Sequence, residues 1–383
     1  MTARDRRLEA PHRRGGARPR VVERVGVAAY RATSEALRIL PVGLARGAMG
    51  TLTRGSYLVT PSRRRWANAN FGHVLGLPPD HPRVRRLALR AFDEYGRYLV
   101  DLMRLPSLPP DEVERLAGDL TEHEAELRRI LAEAPGGGLI LAVGHLGSNE
   151  AIAAHIASRG LPISVVADDS SFPELFELLR AQRATWGVTL IPWRNLREIY
   201  GVLRRREMLG LLVDWGYRDD GIPVRLCDAW TTLPAGPATL AAKTGSRILP
   251  IGIHRDAEGR YQVAFAEPID VASSKPAELQ RATQALADAI GAAIRVAPEQ
   301  WYNFKPIWPE TEAEAADLER RAGAMQAGLP DPGPSATRAE VPAGALDTGD
   351  RAGATAAAGA TTDAAATAAT GVAAPVEAAE AAP

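Results

Sequence analysis

The chain has 383 residues with 46 Lys plus Arg against 46 Asp plus Glu, a formal net charge of zero. That length supports a sizeable core, and the charge balance removes the overall basicity that would argue for nucleic acid as a partner. Its one cysteine, Cys227, excludes a disulfide framework and a thiolate metal cluster and reads as a packed thiol.

Charge is unevenly spread along the chain. Arg4, Arg6, Arg7, Arg13, Arg14, Arg18 and Arg20 crowd the N-terminus, and Arg63 to Arg65 and Arg204 to Arg206 form further clusters. Such clusters suit anionic lipid or phosphate surfaces, and equally suit solvated faces. Lysine occurs only at Lys243, Lys275 and Lys305, and alanine is abundant, the coding bias of a GC-rich genome.

In chain order, residues 1–22 are rich in Arg, Gly and Pro and are expected to be a disordered basic arm. Residues 25–36 and 37–59 are apolar and small, interrupted by Arg31, Glu35, Arg38, Pro41, Arg46 and Arg54. A spanning helix needs about 20 mostly uncharged residues, which this stretch lacks, and the run 25–29 is too short for a signal-peptide core. It reads as one or two amphipathic helices lying in a membrane interface, a pattern shared by helices packed on a soluble core. Residues 63–77 and 82–103 read as two helices separated by the prolines 78, 79 and 82, with Leu87, Phe92, Tyr95, Leu99 and Leu102 as a core-facing stripe. A further helix is expected over 112–134, ending at Pro135 and three glycines that precede a strand and so are not a dinucleotide loop.

From there strands and helices alternate: strands at 139–143, 163–167, 188–191 and 208–213, helices at 149–158, 172–186 and 196–206. This predicts an α/β domain with a mostly parallel central sheet flanked by helices, whose working residues gather at the carboxyl ends of the strands. His145 and Asp214 fall at two such ends. Strands at 247–253 and 262–266 form a hairpin, helices follow at 277–297 and 311–325, and the tail 326–383 is low in complexity and expected to be disordered.

The stretch His145-Leu-Gly-Ser-Asn-Glu150 carries the clearest chemical signal. On one helix, residues five apart point about 140° away from each other. Across a strand-turn-helix junction, the turn can bring Glu150 back under the imidazole to fix its tautomer and balance its charge. A histidine at a core boundary and an acid in a helix's first turn fit the same residues without chemistry. Ser148 lacks the Gly-x-Ser-x-Gly elbow of a serine hydrolase, and no His-Glu-x-x-His supports a metal, with His155 too far along its helix. Gly236 and Pro237 open a helix whose N-terminal N–H groups would suit phosphate or an oxyanion.

His145-x4-Glu150 resembles the His-x4-Asp/Glu motif of the lysophospholipid acyltransferase superfamily, in the branch of bacterial lipid A and phosphatidylinositol mannoside acyltransferases. Further blocks agree in order: the helical region 66–106, Arg183 four residues before Gly187, Asp214 where the family has an Asp-Gln or Asp-Arg pair, the segment 233–245 around Gly236, and Pro298-Glu-Gln-Trp-Tyr302. The chain departs from the pattern at Leu146 and Asn149, where aromatics are usual, at Trp215 after Asp214, and around Pro223 and Leu226-Cys227. These departures bear on the substrate more than on the reaction.

The resemblance implies an acyltransferase domain over 23–310, with a helical membrane-proximal part at 23–105 and the α/β catalytic core at 135–310. It implies transfer of a fatty acyl chain from acyl-CoA or acyl carrier protein to a hydroxyl of a membrane glycolipid or lysophospholipid, at the cytoplasmic face of the membrane. His145 is then the base and Glu150 its partner, with Arg183, Asp214 and Gly236 as substrate-binding residues and Gly147 or Gly236 as oxyanion donors. No metal or cofactor beyond the donor is called for, and the expected partners are anionic membrane lipids. A nucleotide-sugar glycosyltransferase and a catalytically silent lipid-binding protein share the α/β pattern and stay open.

Overall fold

The computed structural model describes residues 17–134, 136–169 and 172–335. The strands are β1 (Leu139–Val143), β2 (Ile163–Ala167), β3 (Val188–Pro192), β4 (Met208–Leu212), β5 (Ile222–Leu226), β6 (Ala229–Leu233), β7 (Arg247–Arg255) and β8 (Tyr261–Phe265). They form a six-stranded sheet in the order β3-β2-β4-β1-β7-β8, with β5 and β6 as a separate hairpin. All pairings in the large sheet are parallel except β7 with the edge strand β8. Its centre, β1, alternates between two apolar layers: Ile140 and Ala142 enter one, Leu139 and Leu141 the other. Burial on both faces explains why the strand reads as an unbroken apolar run.

Around the sheet lie α1 (Ala17–Ile39), α2 (Val42–Val59), α3 (Pro61–Leu75), α4 (Pro82–Arg104), α5 (Pro110–Ala117), α6 (Thr121–Glu133), α7 (Asn149–Ser158), α8 (Pro173–Ala184), α9 (Leu196–Arg204), α10 (Gly236–Thr244), α11 (Pro276–Val296) and α12 (Glu312–Gln326). Buried side chains of α3, α4 and α9 to α11 share one layer with the sheet, and those of α5 to α7 share the other. Prolines in the first turns of α3, α4, α5, α8 and α11 start helices where a missing N–H costs nothing.

Several expectations are corrected. The helix expected over 112–134 is two: Gly118 takes φ 70° and ends α5, and Asp119 Oδ1 then accepts from Thr121 N at 3.1 Å to start α6. The β5–β6 hairpin was not foreseen because its turn uses Cys227 and Asp228, at φ 49° and 67°, in place of the usual Asn-Gly. Helix α1 begins at Ala17, inside the arm expected to be unstructured to residue 22; residues 1–16 lie outside the described residues. Past α12, Asp331 pairs with Arg321 at 2.6 Å, so the tail's first residues fold back on that helix; 336–383 lie outside the described residues.

The N-terminal helices pack on the sheet and the helices around it. Glu23 on α1 accepts from the backbone N–H groups of Glu174 and Leu175 at 2.6 and 3.4 Å, capping the start of α8 from a remote helix. Arg46 on α2 meets Asp101 on α4 at 2.6 Å, and Tyr261 on β8 donates to the other oxygen of Asp101 at 2.8 Å. Among the described residues no helix is long and apolar enough to cross a membrane.

Candidate active site

Strand register creates the site. β1 and β4 are parallel neighbours with Val143 opposite Leu212, so His145 and Asp214, each two residues past its strand's end, come out side by side. Asp214 Oδ1 lies 2.6 Å from His145 Nδ1, and Oδ2 accepts the His145 backbone N–H at 2.9 Å. A carboxylate only accepts, so Nδ1 is the protonated ring nitrogen and Nε2 carries the lone pair. Nε2 is buried and has no hydrogen-bond partner among the described residues.

Asp214 is wholly buried. Burial alone would push its carboxyl up, but electrostatic attraction to His145, the two His145 N–H donors and the Trp301 indole outweigh that and hold it below the usual carboxylate range. The carboxylate that meets the imidazole is thus that of Asp214, which the sequence reading assigned to substrate, and not that of Glu150. Turning through Gly147 and Ser148 sends Glu150 into the first turn of α7, where it accepts from Arg183 Nη2 and from the Tyr98 hydroxyl, each at 3.1 Å. Tyr98 is buried, which together with the Glu150 charge keeps its hydroxyl protonated well above its ordinary range. Glu150, Arg183 and Trp186, with Val165, Leu190 and Leu212, line a cavity of about 40 Å³ on this side of the sheet.

The loop itself is fixed locally. Gly147 takes φ 59°, and a Cβ there would meet Ile253 at 2.8 Å. Its N–H donates to the Gln300 carbonyl at 3.2 Å, so this amide, expected to serve an oxyanion, is already engaged. Ser148 Oγ caps α7 by accepting from Ala151 N at 3.3 Å, and Asn149 donates to the Gly144 carbonyl at 3.0 Å. Gly236 opens α10, and no hydrogen bond among the described residues ties it to His145 or Asp214. The structure therefore joins His145 with Asp214 and Glu150 with Arg183, and leaves Gly236 outside both pairs.

Residues 17–310 match the sequence profile of the bacterial lipid A biosynthesis acyltransferases. The chain belongs to that family. This acyltransferase is also similar to the phosphatidylinositol mannoside acyltransferases of Mycobacterium tuberculosis strain H37Rv, 28% identical over 306 residues spanning 77% of this chain and 92% of the relative, and of Mycolicibacterium smegmatis, 27% identical over 301 residues spanning 76% and 93%. Among the readings the sequence left open, the acyltransferase is the one the family shows.

Two side chains of the acyltransferase's site escaped the sequence reading. Tyr98 is not in the core-facing stripe read from the sequence of α4, and its hydroxyl is visible as a partner only once α4 is laid against α7. Trp301 sits in the Pro298-Glu-Gln-Trp-Tyr motif, which marked the family without indicating what the indole holds.

Proposed function

We propose that this acyltransferase moves a fatty acyl chain from acyl-CoA, or from acyl carrier protein, to a hydroxyl of a membrane glycolipid, and that His145 and Asp214 form its base. One observation carries the reading: Nδ1 is committed to a buried carboxylate while Nε2 has no partner among the described residues. As the acceptor oxygen bonds to the thioester carbonyl, Nε2 takes its proton, and Asp214 stabilises the imidazolium. Collapse of the tetrahedral intermediate breaks the C–S bond, and the proton passes from Nε2 to the departing thiolate, which regenerates the base. No covalent enzyme intermediate is needed. In this reading Arg183 holds a phosphate of the acceptor or of coenzyme A through guanidinium N–H groups not given to Glu150, with Glu150, itself bonded by Tyr98, holding it in place. The names of the relatives favour a phosphatidylinositol mannoside acceptor.

The membrane side of the reading rests on α2. Its buried face carries Ala45, Met49, Thr53 and Tyr57, while Leu44, Ala48, Leu52, Leu58 and Val59 are exposed along the opposite face. An apolar stripe on each side of one helix fits a helix packed on protein below and lipid above. Beside it Arg64, Arg85 and Arg86, with Tyr57, Asn68 and Leu89, line a pocket of about 480 Å³ suited to anionic headgroups. The protein is therefore read as peripheral, on the cytoplasmic leaflet where acyl-CoA is available.

The test is thiol release from a panel of acyl-CoAs with detergent-solubilised phosphatidylinositol mannosides. Acceptor-dependent release with an acylated lipid by mass spectrometry supports the reading. Release indifferent to acceptor marks a thioesterase and overturns it.

A further inference from the structure

The segment from Pro298 to Asn303 is hydrogen-bonded to the loops that carry His145 and Asp214. Gln300 grips the backbone of Arg255 with both ends of its amide, at 2.6 and 2.8 Å, anchoring the segment to β7. From that anchor, the Gln300 carbonyl accepts from Gly147, Tyr302 N donates to the His145 carbonyl at 2.8 Å, and Asn303 Nδ2 donates to the Asp214 carbonyl. Asn70 on α3 donates to the Asn303 carbonyl at 3.0 Å and holds the far end. At the centre Trp301, with no exposed surface, donates its indole N–H to Asp214 Oδ2 at 2.7 Å. Phe71 and Trp308 pack edge-on against its ring, at centroid distances of 6.0 and 6.2 Å, and fix its plane.

We propose that Trp301 is a positioning residue for acyl transfer, its indole N–H pinning the Asp214 carboxylate so that His145 presents Nε2 to the acceptor hydroxyl. This rests on the reading of His145 and Asp214 given above. Three N–H groups reach the buried carboxylate, and two of them belong to His145 itself. Among the described residues the indole is thus the one donor that is independent of the base and able to fix the carboxylate's orientation while the ring takes up and releases its proton. Trp301 lies behind Asp214 and is wholly buried, so it acts on the chemical step and not on substrate binding.

The experiment compares Trp301→Phe, and a variant with β-(3-benzothienyl)alanine at the same position, with the wild-type protein. The sulfur analogue keeps the bicyclic shape and lacks the N–H. Because the hydrogen bond lost is to a charged group, kcat should fall on the order of tenfold or more with KM unchanged. The acid limb of kcat/KM should move to higher pH, because a carboxylate that has lost a donor holds the proton it shares with His145 more tightly. A merely structural indole would lower the melting temperature and leave the pH profile where it was. Wild-type kcat and pH profile in the folded sulfur analogue would overturn the proposal, whatever Trp301→Phe does to folding. Transfer that survives His145→Ala would instead overturn the reading of the base, so the two failures are told apart.

Discussion

His145 and Glu150 show how a motif's spacing and its contacts can part company. The spacing places both residues at one strand-turn-helix junction, which the structure contains, but the turn's geometry sends the carboxylate toward α4 and α8. Glu150 and Arg183 are both buried, and removing one partner of such a pair leaves an uncompensated charge. Glu150→Ala should therefore destabilise the protein by about 3 kcal/mol in urea unfolding, a cost at the low end for broken buried pairs. A change within the range of ordinary surface substitutions would show that Arg183 is solvated despite its burial. Cys227 is a second residue-scale case: burial pushes its thiol up to about 11. Ellman's reagent at pH 8 should label it only in denaturant, and rapid labelling of the native protein would contradict its burial.

The elements were legible wherever periodicity and breakers agreed. Strands β1 and β2 fall where the apolar runs put them, because a strand buried on both faces is written as continuous apolar sequence. The β5–β6 hairpin was not legible, since Cys227-Asp228 carries no turn signature of its own. Helix α2 was only half legible: its sequence fits both a membrane and a protein neighbour, and the structure buries one face against protein and leaves apolar residues exposed on the other. Changing Leu52 and Leu58 to Ser should lower partitioning onto phosphatidylinositol-containing vesicles and leave the melting temperature unchanged, because both side chains are exposed. Unchanged partitioning would remove α2 from the membrane surface. At the start of α11, Glu278 accepts from Arg281 at 2.8 Å and from Ala272 N at 2.9 Å, and these bonds lower its carboxyl from 4.5 to about 2. A depressed carboxyl stabilises the fold above its unfolded value and loses that contribution as pH falls through the folded one. The melting-temperature gap between wild type and Glu278→Gln should be full at pH 6 and shrink from about pH 4.5 toward 2; a gap that does not change with pH would show that the ionised form is not what stabilises.

Across the whole molecule, the pairing of His145 with Asp214 is a consequence of strand order. Sequence alternation predicts parallel strands and strand-end residues, and that much placed His145 and Asp214 on the same edge. It does not say that β4 crosses over to lie beside β1, and only that adjacency puts the two residues in contact. Trp301 arrives from the other end of the domain, past β7, β8 and α11, through contacts that no local pattern encodes. Three distant segments thus bring His145, Asp214 and Trp301 together at the sheet's carboxyl edge.

The measurement that bears most directly on the account is acceptor-dependent thiol release from acyl-CoA by the wild type, His145→Ala and Asp214→Asn, each checked for folding by circular dichroism. Loss of a positioned base costs about 10²–10⁴-fold, so both variants should lose kcat in that range. An Asp214→Asn variant that keeps wild-type turnover, with its fold intact, would contradict the account.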